Sequence, residues 1–242
     1  MNFLKKIPRE KLLYFVVSAV IAILTNRLFY DGARLINQNR AMHDLSIPLD
    51  EKIPFLPWTV SVYFGCAVFW GMIYLLVALR DRRESDRFFL GLMLGRILCF
   101  AFYLIYPTRC DPVSLEGYPP SVWMWVMRFL HTVDSPENLF PSLHCLLAWA
   151  CWIGVRFKKE YSIWWRIAAF VMAVAVCLST LTTKQHVLAD VPGGILAAEL
   201  TYFIAGRRRV LAPYSKAISK IVAKIDGLFF KKSGEERTPG AK

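Results

Sequence analysis

The chain is short of acid. It carries 18 Asp and Glu against 30 Lys and Arg, a formal net charge of +12, and only 4 histidines. It also lacks the marks of a modular protein. No internal repeat, low-complexity tract or Ser/Gly-rich linker divides its 242 residues. Its cysteines, Cys66, Cys99, Cys110, Cys145, Cys151 and Cys177, show neither metal-ligand spacing nor a disulfide framework. All but Cys110 fall in apolar runs and read as small buried side chains. The basic N-terminal stretch leads into an apolar run with no small-residue cleavage site after it. That run is therefore read as an uncleaved first span, not a signal peptide.

What the chain has is hydrophobic surface. Apolar residues make up 56% of it and aromatics 14%, where a soluble domain is about 45–50% apolar. The excess falls in blocks, and a bilayer crossing needs about 20 predominantly apolar residues. Six spans are expected, at about 12–30, 55–79, 88–106, 139–155, 163–181 and 187–205; the fourth is the weakest. The expected fold class is all-α, an integral membrane bundle of six transmembrane helices in one domain over 1–242. A basic cytoplasmic tail occupies 206–242. Six such runs exclude a soluble nucleic-acid binder.

The cations flank the spans. The N-terminus (Lys5, Lys6, Arg9, Lys11), residues 80–87 and 156–166 and the tail hold 22 Lys and Arg, against 7 on the opposite side. By the positive-inside rule both termini are expected to be cytoplasmic, with 31–54, 107–138 and 182–186 facing the outside, periplasm or lumen. On that side "PPSVWMWVMRFLHTV" suggests an interfacial helix through Trp123, Trp125, Met127 and Phe129. In the tail, "AISKIVAKIDGLFFKK" fits either an amphipathic helix on the inner leaflet or an ordinary charged tail. Arg96 and Glu199 fall in mid-span, where an unpaired charge is costly, and are expected to pair with each other.

One polar cluster interrupts the apolar pattern. "STLTTKQHVLAD" holds Ser179, Lys184, His186 and Asp190 between two spans. His186 and Asp190 are four apart, so a helix starting there puts them on one face. An Asp so placed can hold one ring nitrogen and leave the other free as a nucleophile. "NLFPSLHCLLAW" puts Ser142 and His144 at the start of the fourth span, where free backbone N–H groups suit a phosphate. The expected topology brings both histidines to the same end of the bundle. Arg109, in "LIYPTRCDP" after the third span, is a further phosphate contact of the same depth.

"PSLH" followed about 40 residues later by "STLTTKQHVLADVPGG" resembles the second and third signature motifs of the type 2 phosphatidic acid phosphatase superfamily. Ser179, His186 and Asp190 match the third motif at its spacing; Thr180 stands where the family has Arg. The "KQH" form is similar to the branch containing inositol phosphorylceramide synthases, in which Lys184 would take the place of that Arg. The first family motif is poorly matched. The resemblance covers the last four spans and implies metal-independent hydrolysis of a lipid phosphomonoester or pyrophosphate, with no cofactor. His186 would be the nucleophile, Asp190 its orienting carboxylate and His144 the general acid. Lys184, Ser179, Arg109 and Ser142 would hold the phosphate. The same machinery would serve a phosphotransferase if a lipid or polyol hydroxyl replaced water. A phospholipid transporter is the rival class, and would need no paired histidines. Membrane lipid and the bilayer are the expected partners. The particular lipid and the oligomeric state are left open.

Overall fold

A computed structural model describes residues 8–230; their regular structure is helical, with two isolated β-bridges and, among these residues, no strand. Lys5, Lys6 and the tail beyond residue 230 lie outside the described residues. In chain order the helices are α1 (Arg9–Asn37), α2 (Pro48–Lys52), α3 (Val60–Ala78), α4 (Arg82–Ile105), α5 (Val122–Val133), α6 (Leu143–Val155), α7 (Ile163–Thr182), α8 (Asp190–Ala205) and α9 (Arg208–Phe230). A 3-10 turn at Pro57–Thr59 leads into α3. Several starts are written in the sequence. Asp81, Ser121, Ser142 and Ser162 each accept a hydrogen bond from the backbone N–H three residues on, the usual N-cap arrangement.

α4 is the central element. Phe88, Phe89, Leu92, Cys99 and Tyr103 are all buried on it, and it packs against α1, α6 and α8. α6 in turn packs between α7 and α8. All six cysteines are buried and unbridged, Cys110 included. The outward faces carry Ile23, Leu24, Leu28, Val68, Leu178, Leu196 and Phe203 in the open, more apolar surface than a water-soluble bundle leaves uncovered. Four helical stretches are long and apolar enough to cross a membrane: Arg9–Asn37, Pro57–Ala78, Arg82–Ile105 and Ile163–Thr182. The other two expected spans are shorter helices. α6 has 13 residues and α8 has 16, which at 1.5 Å per residue is about 20 and 24 Å.

Two expectations need correction. Arg96 and Glu199 do not pair. Glu199 receives both terminal nitrogens of Arg156, plus Trp149 Nε1 at 2.9 Å. Because α8 ends at Ala205, Glu199 lies near the end where Arg156 follows α6. The tail is the second. α9 turns its apolar stripe onto the bundle: Ile218 and Val222 are buried in the main core, and Arg9 pairs with Asp226 at 2.8 Å. Protein covers that part of the stripe, while Ile221 and Phe229 remain exposed.

Candidate active site

The site is built where α6 and α8 begin. The segment before α6 is tied to the end of α4. Asn138 N–H donates to the Thr108 carbonyl at 2.9 Å, and the N–H groups of Leu139 and Phe140 donate to Thr108 Oγ1 at 3.1 and 2.9 Å. Tyr103 donates its hydroxyl to the Pro141 carbonyl at 3.0 Å. The turn after α7 is closed by the Thr180 carbonyl, which accepts from both Gln185 and His186 N–H at 3.1 Å. Lys184 adopts φ 58 there, a left-handed conformation that costs a non-glycine residue about 1–2 kcal/mol. The two pieces are joined by Ser142 N–H donating to the Asp190 carbonyl at 3.1 Å. Gly194 permits this approach: a Cβ there would stand 2.4 Å from the Ser142 carbonyl oxygen. At Gly193 a Cβ would stand 2.6 Å from the Phe140 ring.

His186 and Asp190 meet, though not on a helical face. His186 lies in the turn and Asp190 is the first residue of α8. Asp190 Oδ2 accepts from His186 Nδ1 at 2.9 Å and from Val187 N–H at 3.1 Å. Both residues are buried, Asp190 at 1% exposure and His186 at 8%. A carboxylate on Nδ1 fixes the tautomer with Nε2 unprotonated. Ser142 Oγ lies 3.2 Å from that Nε2 and accepts from Cys145 N–H at 3.3 Å, so its own hydroxyl proton is free to cap the Nε2 lone pair.

His144, on the first turn of α6, faces His186 across a ring-centroid distance of 6.0 Å. Its Nδ1 is 3.4 Å from the Tyr63 hydroxyl. Tyr63 donates in a short hydrogen bond to Asp134, which also accepts from Tyr30 at 3.1 Å. The chain Asp134–Tyr63–His144 therefore parallels Asp190–His186. One carboxylate stands behind each imidazole, the first through a phenol and the second directly.

A cavity of about 260 Å³ opens between the two histidines. Besides them it is lined by Tyr30, Tyr63, Asp134, Asn138, Gln185 and Arg27. Asn138, at φ 59, receives Asn37 Nδ2 on its Oδ1 at 3.2 Å, while its own Nδ2 is buried without a partner. Arg27 is the only Lys or Arg on the described wall. Asn138, Tyr63 and Asp134 match no motif in the sequence, and Gln185 shows only as the middle of "KQH". Tyr63 is on α3, Asp134 and Asn138 share the loop before α6, and Gln185 lies in the turn after α7.

Of the seven residues expected at the site, the structure brings four together: His186, Asp190, His144 and Ser142. Lys184 is turned away by its backbone and donates to the Asp50 carbonyl at 2.7 Å. Ser179 is buried inside α7, its hydroxyl donating to the Val176 carbonyl at 2.8 Å. Arg109 is half exposed and paired with Asp111 at 3.1 Å. None of these three lines the cavity. Among the described residues no group of three or more His, Cys, Asp or Glu is arranged to hold a metal ion. Comparison with protein-family models, curated proteins and solved structures finds no match.

Proposed function

We propose that the chain is an integral-membrane lipid phosphatase that works through a phosphohistidine at His186, and that it is similar to the type 2 phosphatidic acid phosphatases. The observation that carries this reading is the pair of facing imidazoles. One has a free nitrogen fixed by Asp190, and the other is backed by a Tyr–Asp chain, across a cavity that holds unpaired N–H donors. A transporter would need no paired histidines, and their presence favours catalysis. A phosphotransferase is the same enzyme with a lipid or polyol hydroxyl as second acceptor.

In this reading α6 and α8 are the fourth and sixth spans, and both termini are cytoplasmic. Their shortness has a use. Each falls short of the roughly 30 Å hydrocarbon core, so the loops at their outer ends sit below the level of the longer helices. The histidines then lie in a pit that a headgroup can enter while its chains stay in lipid. α5 buries Met124, Met127 and Leu130 against the bundle and exposes Trp123, Trp125 and Phe129, the division expected of a helix at the interface. Met127 therefore belongs to the inward face.

The chemistry runs in two steps. Ser142 gives up its hydrogen bond, and Nε2 of His186 attacks phosphorus in line with the ester oxygen. The P–O bond breaks and His144 protonates the leaving alcohol. Asp190 stabilises the imidazolium character that grows on His186. The Asn138 amide, Gln185, Arg27 and the N–H groups at the start of α6 receive the equatorial oxygens. His144, now neutral, takes a proton from water as it attacks the phosphohistidine, and inorganic phosphate leaves. The proton taken from water replaces the one given to the alcohol, so the enzyme is restored.

The test is phosphate release in detergent micelles containing EDTA, from a panel of lipid phosphates, for wild type and His186→Ala. Wild type should release phosphate and retain label at histidine on acid-free quenching; His186→Ala should do neither. Equal release by both proteins would remove His186 as nucleophile. Binding without phosphate release, with the phosphoryl group appearing on an added lipid alcohol, would mark the transferase.

A further inference from the structure

A second cavity, of about 310 Å³, adjoins the first between α1 and α3, with Arg96 of α4 at its back. Asn26, Arg27, Ala67 and Trp70 line both cavities. The remaining wall is mostly apolar, including Phe15, Ala22 and Leu147. Its rim at Ile23, Ala67 and Gly71 is exposed, and a Cβ on Gly71 would meet nothing within 4 Å. The cavity is thus a groove open toward the side of the bundle that lipid would touch.

Arg96 is out of place in such a groove. It is 4% exposed, and its guanidinium donates from Nε to Asn26 Oδ1 at 3.3 Å and from Nη2 to the Tyr74 hydroxyl at 3.5 Å. Both acceptors are neutral. Among the described residues no carboxylate pairs with it, Glu199 being taken by Arg156. A guanidinium has five N–H donors, only two of them are matched here by protein, and a buried charge so sparsely bonded is costly. Its depth suggests what completes it. Asn26 lies one helical turn, about 6 Å, from Tyr30 along α1, and Tyr30 bonds Asp134 in the histidine cavity. A group meeting Arg96 therefore lies about one helical turn along α1 from the Tyr30 wall of the histidine cavity.

We propose that this groove holds the chains of the substrate and that Arg96 recognises a carbonyl oxygen close to the headgroup. The substrate class is then a phosphate of a lipid with ester-linked or amide-linked acyl chains. A polyprenyl phosphate or an ether lipid has no carbonyl at that depth and leaves the guanidinium unsatisfied. The inference rests on the histidine cavity being the phosphate site.

The experiment compares phosphatidate, ceramide phosphate, a dialkyl ether phosphate of matched chain length and undecaprenyl phosphate. Phosphate release is measured together with binding of the corresponding phosphonates, for wild type, Arg96→Gln and Gly71→Trp; glycerol phosphate serves as a chain-free control. Wild type should prefer a carbonyl lipid over the ether lipid by about tenfold or more, the value of a charge-assisted hydrogen bond. Arg96→Gln should bring that ratio near one by weakening the carbonyl lipids alone. Gly71→Trp should weaken every long-chain lipid and leave glycerol phosphate unchanged. Preference for ceramide phosphate over phosphatidate assigns the amide class, and the reverse assigns the ester class. A wild-type ratio near one, or equal losses on ester and ether lipids in Arg96→Gln, overturns the proposal. Carbonyl-dependent binding with no release from any lipid would overturn the phosphatase reading and keep the subsite. Release without carbonyl preference would do the opposite.

Discussion

Gly194→Ala tests the joint on which the site is built. The new Cβ would lie 2.4 Å from the Ser142 carbonyl oxygen and 2.9 Å from Cys145 Cβ, where ordinary contact begins near 3.4 Å. The nearest atom is backbone, so no rotamer change relieves the clash. α8 and the start of α6 must instead part by roughly 1 Å. That movement strains the Ser142 N–H bond to the Asp190 carbonyl and shifts Ser142 Oγ away from His186 Nε2. Overpacking of this kind costs about 1–3 kcal/mol, and a displacement of about 1 Å at reacting groups costs about a hundredfold in rate. Thermal unfolding in detergent reads the first effect and phosphate release the second. Gly65→Ala, where a Cβ meets nothing within 4 Å, is the control and should match wild type in both. A Gly194→Ala protein with wild-type melting and turnover would refute the close-approach argument. Lowered melting with full turnover would refute the link between this joint and the nucleophile.

The other consequences can be read in the same two assays. Asp190→Asn should keep the fold and lose on the order of 10³–10⁴ in kcat, because the wrong tautomer of His186 is then held; a loss under tenfold would separate Asp190 from the nucleophile. Tyr63→Phe removes the link between Asp134 and His144 and should lower kcat about tenfold with KM little changed, and a pure KM effect would make Tyr63 a binding residue. Lys184→Ala and Arg109→Ala should stay within about twofold of wild type, since neither side chain lines the cavity, whereas Asn138→Ala should cost about tenfold in kcat/KM; the reverse order would restore the motif-based assignment. Arg156→Ala should destabilise by about 1–3 kcal/mol by stranding Glu199, and the Arg156→Ala/Glu199→Ala double variant should recover part of that in a melt.

The helices were legible because hydropathy and capping residues agree. Where the spans at 139–155 and 187–205 begin too early, the reason is specific. Leu139 and Val187 are apolar but not helical, and together with Cys110 they form a small buried cluster that seals the loops beneath the site. Hydropathy reports burial, and here burial is that of a loop. The same blindness hid half of the cavity. Tyr30 and Tyr63 reach Asp134 across 104 and 71 residues, and no local spacing encodes such a meeting. The motif residues were visible because each pair is short-range: Ser142 with His144, and His186 with Asp190. Lys184 shows the limit of that logic. Its place two residues before His186 suggests a shared site, but the left-handed turn that delivers His186 to the cavity sends Lys184 toward Asp50.

Arg96 carries the argument one step further. Sequence depth alone paired it with Glu199, since two opposite charges in one hydrophobic layer should neutralise each other. The end of α8 at Ala205 decides otherwise. It sets Glu199 six residues from the end of its helix, within reach of Arg156, and that pairing takes up both carboxylate oxygens. Arg96 is left with an amide and a phenol at the back of an open groove. A charge buried for stability alone would be expected to have a fixed counter-charge in the protein. One held only by neutral oxygens, one turn below a phosphate-sized cavity, is arranged to be completed by something that arrives.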